Sequence, residues 1–150
     1  TDVILSSSDG VQFGAHLRNL ELYSGKFLAH VPSEDPHHIV TVEENSTVLS
    51  LLLQYMHLCP QPDPKTIPFG TLEQLANAVE KYLIYSAMAI CKLRMEFHLE
   101  QYPSEILRYA AKNKYTDLAN EAALLTIGFD YKRIKESFGG DPDTPRRWVR

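Results

Sequence analysis

Asp9-Gly10 stands between two short apolar-rich runs, and this dipeptide restricts the fold more than any other stretch of the chain. A two-residue Asp-Gly loop tolerates the positive φ angles that match the twist of antiparallel strands, so a hairpin is expected across it. With that loop Ser8 faces Val11, Ser6 faces Phe13 and Ile4 faces Ala15, leaving Val3 and Leu5 on the other face with Gly14 and His16. Both faces then carry apolar groups, and such a ribbon is expected to be covered by helices. From His16 the period becomes helical, with Leu17, Leu20 and Tyr23 at helical spacing until Ser24-Gly25 breaks the run. Ser24 is placed to cap a second short helix, whose Phe27, Leu28 and Val31 form an apolar face before Pro32 stops it.

The rest of the chain reads as one more strand and a series of helices. Ile39-Val40-Thr41-Val42 has the β-branched density of a third strand beside the hairpin. Asn45-Ser46-Thr47 supplies capping oxygens for a helix reaching to about residue 58, apolar almost all round and therefore central. Pro60, Pro62, Pro64 and Pro68 make an extended connector. Thr71 and Gln74 have capping-box spacing before the stripe Leu72, Leu75, Ala76, Val79, Tyr82 and Leu83. Residues 86 to 99 repeat the helical pattern through Ala87, Ile90, Leu93 and Phe97. Pro103 suits the first position of a helix running to Lys112, and Thr116 caps another that is expected to end before Gly128. The core is expected to hold Val3, Leu5, Phe13, Leu20, Phe27, Leu49, Leu52, Leu75, Val79 and Ile90.

Composition narrows the function. With 44% hydrophobic and 23% charged residues in 150, the chain has the means to build a packed core. A formal net charge of −4 gives no general attraction to phosphate backbones or anionic lipid, so neither nucleic acid nor membrane is an expected partner. Its longest apolar-rich run, residues 48 to 53, is interrupted at Ser50 and followed by Gln54, far short of the ~20 apolar residues a membrane span requires. Cys59 and Cys91 both fall in apolar helical stretches, which suits buried, reduced thiols and an intracellular, cytoplasmic or nuclear setting.

Asp2-Val3 with Leu5, then Phe13-Gly14-Ala15-His16, Leu20 and Ser24-Gly25-Lys26-Phe27, resemble the opening of a BTB/POZ domain, whose pattern runs D-V-x-L, F-x-A-H, L and S-x-x-F. The resemblance extends more weakly to about residue 100 and looks closest to the divergent BTB domains of mushroom-forming fungi. It implies an α+β fold, with a small N-terminal sheet packed with a cluster of helices and a C-terminal helix pair added. Residues 1–100 would form the BTB/POZ-like domain, 101–128 a helical extension and 129–150 a flexible tail. The chain departs from the family after the central helix, where QYMHLCPQPDP offers neither the usual short strand nor the Tyr-x-Gly turn.

The function this implies is a non-catalytic protein–protein interaction module without cofactor, able to self-associate. Many BTB domains dimerise through a segment that precedes D-V-x-L; this chain starts at Thr1-Asp2, so its dimer is expected to use the hairpin and the helix from His16 to Tyr23. The candidate interaction residues are His16, Leu17, Leu20, Leu22 and Tyr23, with Leu17 and Leu22 facing the partner. The alternative for Leu17 is packing on the hairpin of its own chain, and the alternative for His16 is a bond to neighbouring backbone or Asp2. One competing function is a substrate adaptor for a cullin-type ubiquitin ligase. Family adaptors carry hydrophobic-x-Glu after the second helix, whereas Val31-Pro32-Ser33-Glu34 places the acid one position late. Another is a small enzyme with an unrecognised site.

Chemistry-bearing motifs are sparse. His37-His38 and His57 with Cys59 are the best metal candidates, but adjacent residues seldom face one ion, and two helical positions two apart diverge by about 200°. No G-x-S-x-G elbow, phosphate loop or G-x-G-x-x-G is present, and the Tyr131/Lys135 spacing of some oxidoreductases stands without a dinucleotide loop. Glu34-Asp35 and Glu43-Glu44 suit helix-dipole and solubility roles. No catalytic, cofactor-binding or metal-binding residue is therefore assigned. The basic residues of the tail, from Lys132 to Arg150, are nearly balanced by acids and lack the zinc-finger spacing through which BTB transcription factors contact DNA.

Overall fold

A computed structural model describes residues 3–27, 39–57 and 59–137, with 129–137 as backbone alone. The fold is mixed α+β. Strands β1 (Val3–Ser6), β2 (Gln12–Ala15) and β3 (Ile39–Thr41) form a three-stranded sheet in the order β2-β1-β3. Six α-helices are present among the described residues: α1 (Leu17–Tyr23), α2 (Ser46–Tyr55), α3 (Phe69–Lys81), α4 (Tyr85–Phe97), α5 (Pro103–Lys112) and α6 (Thr116–Ser137). Tertiary contacts divide the chain into two compact units, one closing at Met95 and the other opening at Glu96, inside the last turn of α4. No helix of the described residues is long and apolar enough to cross a membrane.

The hairpin forms in a register one residue away from the expected one. Val3 pairs with Ala15, Ile4 with Gly14, Leu5 with Phe13 and Ser6 with Gln12. The loop is longer than Asp-Gly: Gly10 N donates to the Ser7 carbonyl, Ser7 N donates to the Val11 carbonyl, and Gly10 takes φ +84°. This is a three-residue loop, a turn closed by a left-handed glycine. Side chains select it, because Ser7 Oγ donates to Asp9 Oδ1 at 2.6 Å and accepts from Val11 N at 3.0 Å. A one-residue slip exchanges faces. Val3, Leu5 and Ala15 are therefore buried together, with Phe13 half-buried beside them, while Gln12 and Gly14 are exposed. The sheet thus has one buried face, while on the other Ile4 is half-buried and Ile39 exposed.

The third strand runs parallel to β1, pairing Leu5 with Val40, and Val42 N extends the contact to the Ser6 carbonyl. Asn45 caps α2 as expected, its side chain accepting from Val48 N at 2.9 Å. Val48, Leu49, Leu52, Leu53 and Tyr55 of α2 are buried, which fits its central place. The helix stops at Tyr55, short of residue 58, and His57 Nδ1 donates back to the Leu53 carbonyl at that end. Cys59 consequently lies outside the helix and is exposed, correcting the buried thiol expected there, whereas Cys91 is buried. The proline connector holds one 3-10 turn, Pro64–Thr66, capped by the Asp63 carboxylate.

Helix α3 begins at Phe69, so the Thr71/Gln74 capping box does not form. Pro68 takes the cap position without a side-chain bond, and Gln74 Oε1 instead accepts from Asn45 Nδ2 at 3.1 Å. In α4 the buried positions are Ala87, Cys91 and Met95, continuing from Ile84, whereas Ile90 and Leu93 are 37% and 65% exposed. The expected stripe is thus turned by one position, and Ile90 leaves the core. Phe13, half-buried, is the other partial exception; the remaining eight expected core residues are buried.

In the second unit α5 spans Pro103–Lys112 with proline in its first turn, as expected. It packs on α6, and Ile106, Tyr109, Ala110, Leu118 and Ala122 are buried. Gly128 does not end α6, which continues to Ser137: one glycine costs a helix about 1 kcal/mol, too little to stop it. Residues 28 to 31 of the second short helix expected after Ser24, the adaptor loop of residues 31 to 34 and the His37-His38 pair lie outside the described residues; of the flexible tail expected over 129–150, residues 129–137 are instead helical and the rest lies outside them.

Candidate functional site

A groove of about 240 Å³ opens between the C-terminal end of α1 and the N-terminal end of α4, lined by Glu21, Leu22, Tyr23, Ser24, Gly25, Tyr85 and Ser86. Its floor is set by the way Ser24 ends α1. Ser24 leaves the helix in extended backbone; its Oγ accepts from Phe27 N at 2.8 Å and donates to the Tyr82 carbonyl at 2.5 Å. Gly25 N and Lys26 N donate to the carbonyls of Leu83 and Tyr82, each at 3.1 Å. The S-G-K stretch is thereby fastened to the turn between α3 and α4.

That turn is a Schellman closure of α3. Ile84 N donates to the Val79 carbonyl and Leu83 N to the Glu80 carbonyl, with Leu83 at φ +52° where glycine is usual. The space taken by the leucine is given up on the other strand of the contact: a Cβ on Gly25 would lie 3.2 Å from Leu83 Cβ and 3.6 Å from Tyr85 Cε2. Phe27 stacks at a tilt on Tyr82, ring centres 4.6 Å apart, and both are buried. Leu22 and Tyr85, which wall the groove, are 70% and 66% exposed.

The five sequence-derived residues separate into three environments. Leu22 and Tyr23 line the groove. His16 and Leu17 are exposed at the opposite end of α1, and His16 caps the helix by its carbonyl, with no side-chain cap bond. Leu20 is fully buried and cannot meet a partner; it points inward because it lies opposite the Leu17–Leu22 side of the helix. Glu21, Ser24, Gly25, Tyr85 and Ser86 line the groove as well, and no local sequence pattern points to them as interaction residues. Their juxtaposition spans some sixty positions and hangs on a turn at Leu83 that carries no glycine or proline to announce it.

The groove is lined by the exposed Leu22 and Tyr85, by Tyr23, by the Ser86 hydroxyl and by the Glu21 carboxylate, and its volume falls below the ~300–1,000 Å³ usual for small-molecule sites. The chain matches no protein-family model and no curated protein.

Two polar clusters elsewhere in the first unit act as cross-links. The Asp9 carboxylate accepts from Ser46 N at 2.7 Å and Ser46 Oγ at 2.6 Å, joining the hairpin loop to the start of α2. These bonds, the Ser46 hydroxyl first and Ser7 next, hold the Asp9 carboxyl down at about 2. Glu43 and Glu44 are more than solubility groups: Lys81 Nζ lies 3.1 and 3.2 Å from their carboxylates, and the Tyr82 hydroxyl donates to Glu44 Oε1. Burial opposes the Lys81 charge, but Glu43, Tyr82 and Glu44 outweigh it and raise its pKa. Burial, followed by the Glu44 bond and charge, pushes the Tyr82 phenol up, so Tyr82 stays neutral. A neutral tyrosine and a committed ammonium are fixed partners rather than an acid–base pair poised near neutrality.

Proposed function

We propose that the chain is a non-catalytic protein–protein interaction module of the BTB/POZ type that docks its partner on the α1/α4 groove. The observation that carries this reading is the pair Leu22 and Tyr85, large side chains that stay mostly exposed on either side of a floor tied down by long-range hydrogen bonds. A rigid floor with exposed apolar and aromatic walls suits an anchor side chain, because little ordering entropy is left to lose on binding. The BTB/POZ part of the reading is supported by the opening motif, by the hairpin leading into α1, and by the strand that returns parallel to β1 ahead of the central helix.

The test is an interaction screen with the whole chain as bait, repeated with Leu22→Asp and Tyr85→Asp. Partners of the groove lose at least tenfold in affinity with both substitutions and keep it with Thr47→Asp on the exposed side of α2. Partners indifferent to both changes would move the interaction elsewhere. Turnover of a small substrate abolished by one polar substitution would replace this reading with an enzymatic one.

A further inference from the structure

We propose that the α1/α4 groove receives a cationic side chain of the partner, an arginine guanidinium, held by Glu21 and by the carbonyls that end α1. The proposal rests on the interaction-module reading and names the chemistry that the groove selects. Were α1 to continue, the carbonyls of Glu21, Leu22 and Tyr23 would accept from the amides four residues further on. Those amides are bonded elsewhere: Gly25 N donates to the Leu83 carbonyl, Lys26 N to the Tyr82 carbonyl and Phe27 N to Ser24 Oγ. Among the described residues no N–H reaches the three carbonyls, and all three belong to residues that line the groove. The bonds that fasten the floor thus leave three acceptors at its edge.

Glu21 gives the site its sign. It is exposed, it is the one charged residue of the lining, and no described residue forms an ion pair with it. The start of α4 adds two amides of opposite character, Tyr85 N and Ser86 N, to which no described carbonyl is bonded. No basic side chain joins them in the lining, and Lys26, next along from Gly25, stays outside it, so a carboxylate and three carbonyls outweigh two amides. Tyr85, 66% exposed, supplies a ring face for a cation, and Gly25 keeps the space beside it open, since a Cβ there would lie 3.6 Å from Tyr85 Cε2. Arginine fits this set better than lysine: its planar guanidinium carries five N–H donors, bonds a carboxylate through two of them while others reach carbonyls, and stacks flat on an aromatic ring. A volume of about 240 Å³ suits one long side chain rather than a helix.

Short peptides test the selection on the whole chain. Isotope-labelled protein is titrated with acetyl-Gly-Arg-Gly-amide, and with the same peptide carrying lysine, citrulline or glutamate at its centre, while the amide resonances are followed by NMR. The arginine peptide is expected to move the amides of residues 21 to 26 and of Tyr85 and Ser86. Its affinity should exceed that of the lysine peptide at least threefold and that of the citrulline peptide, which keeps the shape and loses the charge, at least tenfold. Glu21→Gln weakens the arginine peptide at least fivefold, and Tyr85→Leu, which keeps an apolar wall and removes the ring, at least threefold; thermal melts confirm that both variants fold. No shift at these amides overturns the proposal, as do citrulline binding as tightly as arginine, indifference to Glu21→Gln, or a preference for the glutamate peptide. If a protein partner binds in a Leu22- and Tyr85-dependent way and ignores Glu21→Gln, the arginine contact is wrong and the interaction-module reading stands.

Discussion

Cys59 and Cys91 occupy opposite environments and should separate cleanly by reactivity. Cys91 is buried, and burial first, then the Glu80 charge, pushes its thiol up to about 12, so almost no thiolate is present at neutral pH. Cys59 is exposed, its Sγ donating to the Gln54 carbonyl at 3.4 Å. An aromatic disulfide reagent at pH 8 is expected to titrate one thiol in the native protein and the second only on unfolding; two fast thiols would mean that α4 opens readily. Asp9 sets an acid limit. Its carboxyl is held at about 2 against an ordinary 3.8, so its contribution is present above pH 3.8 and is lost as the pH falls through about 2. Melting temperatures between pH 5 and 2 should therefore fall less steeply for Asp9→Asn than for wild type, from a lower starting value at pH 5. Parallel curves would remove Asp9 from the acid transition.

At the level of elements, the helix ends decide where the chain turns. The α5 terminus is a second Schellman closure, with Tyr115 N donating to the Ala110 carbonyl at 2.8 Å and Lys114 at φ +64°. Lys114 is exposed, so Lys114→Gly removes left-handed strain without losing packing. Chemical denaturation should show a gain of about 0.5–1 kcal/mol, less than the full left-handed cost because glycine also loosens the unfolded chain. The rotation of α4 gives a paired test. Met95→Ala on its buried side, and Leu52→Ala in the centre of α2, should each cost about 2–5 kcal/mol, while Ile90→Ala should cost under about 1 kcal/mol. Equal losses at Met95 and Ile90 would contradict the observed face of α4.

For the molecule as a whole, β1 is the strand bonded on both sides, and β1, α2 and α3 each contribute fully buried residues, among them Leu5, Leu49, Leu52, Leu72, Leu75 and Val79. Amide hydrogen exchange should be slowest in those elements and faster in the short, largely exposed α1; the reverse order would displace the core. Much of this was legible locally. Asn45 before a run of leucines marks the start of α2, and Pro103 marks that of α5, because a cap oxygen or a missing donor acts within one helical turn. The S-G-K break after α1 was legible for the same reason. The hairpin register was not, since Ser7 and Asp9 bond each other and lengthen the loop, and neither was the Leu83 turn, which takes a left-handed conformation without glycine. The sequence by itself determined which segments become helix or strand and where most of them begin. Only the tertiary structure decided the register, the direction of β3, the face of α4 and the groove between Leu22 and Tyr85, because each depends on contacts between residues far apart in the chain, whose energies exceed any local preference.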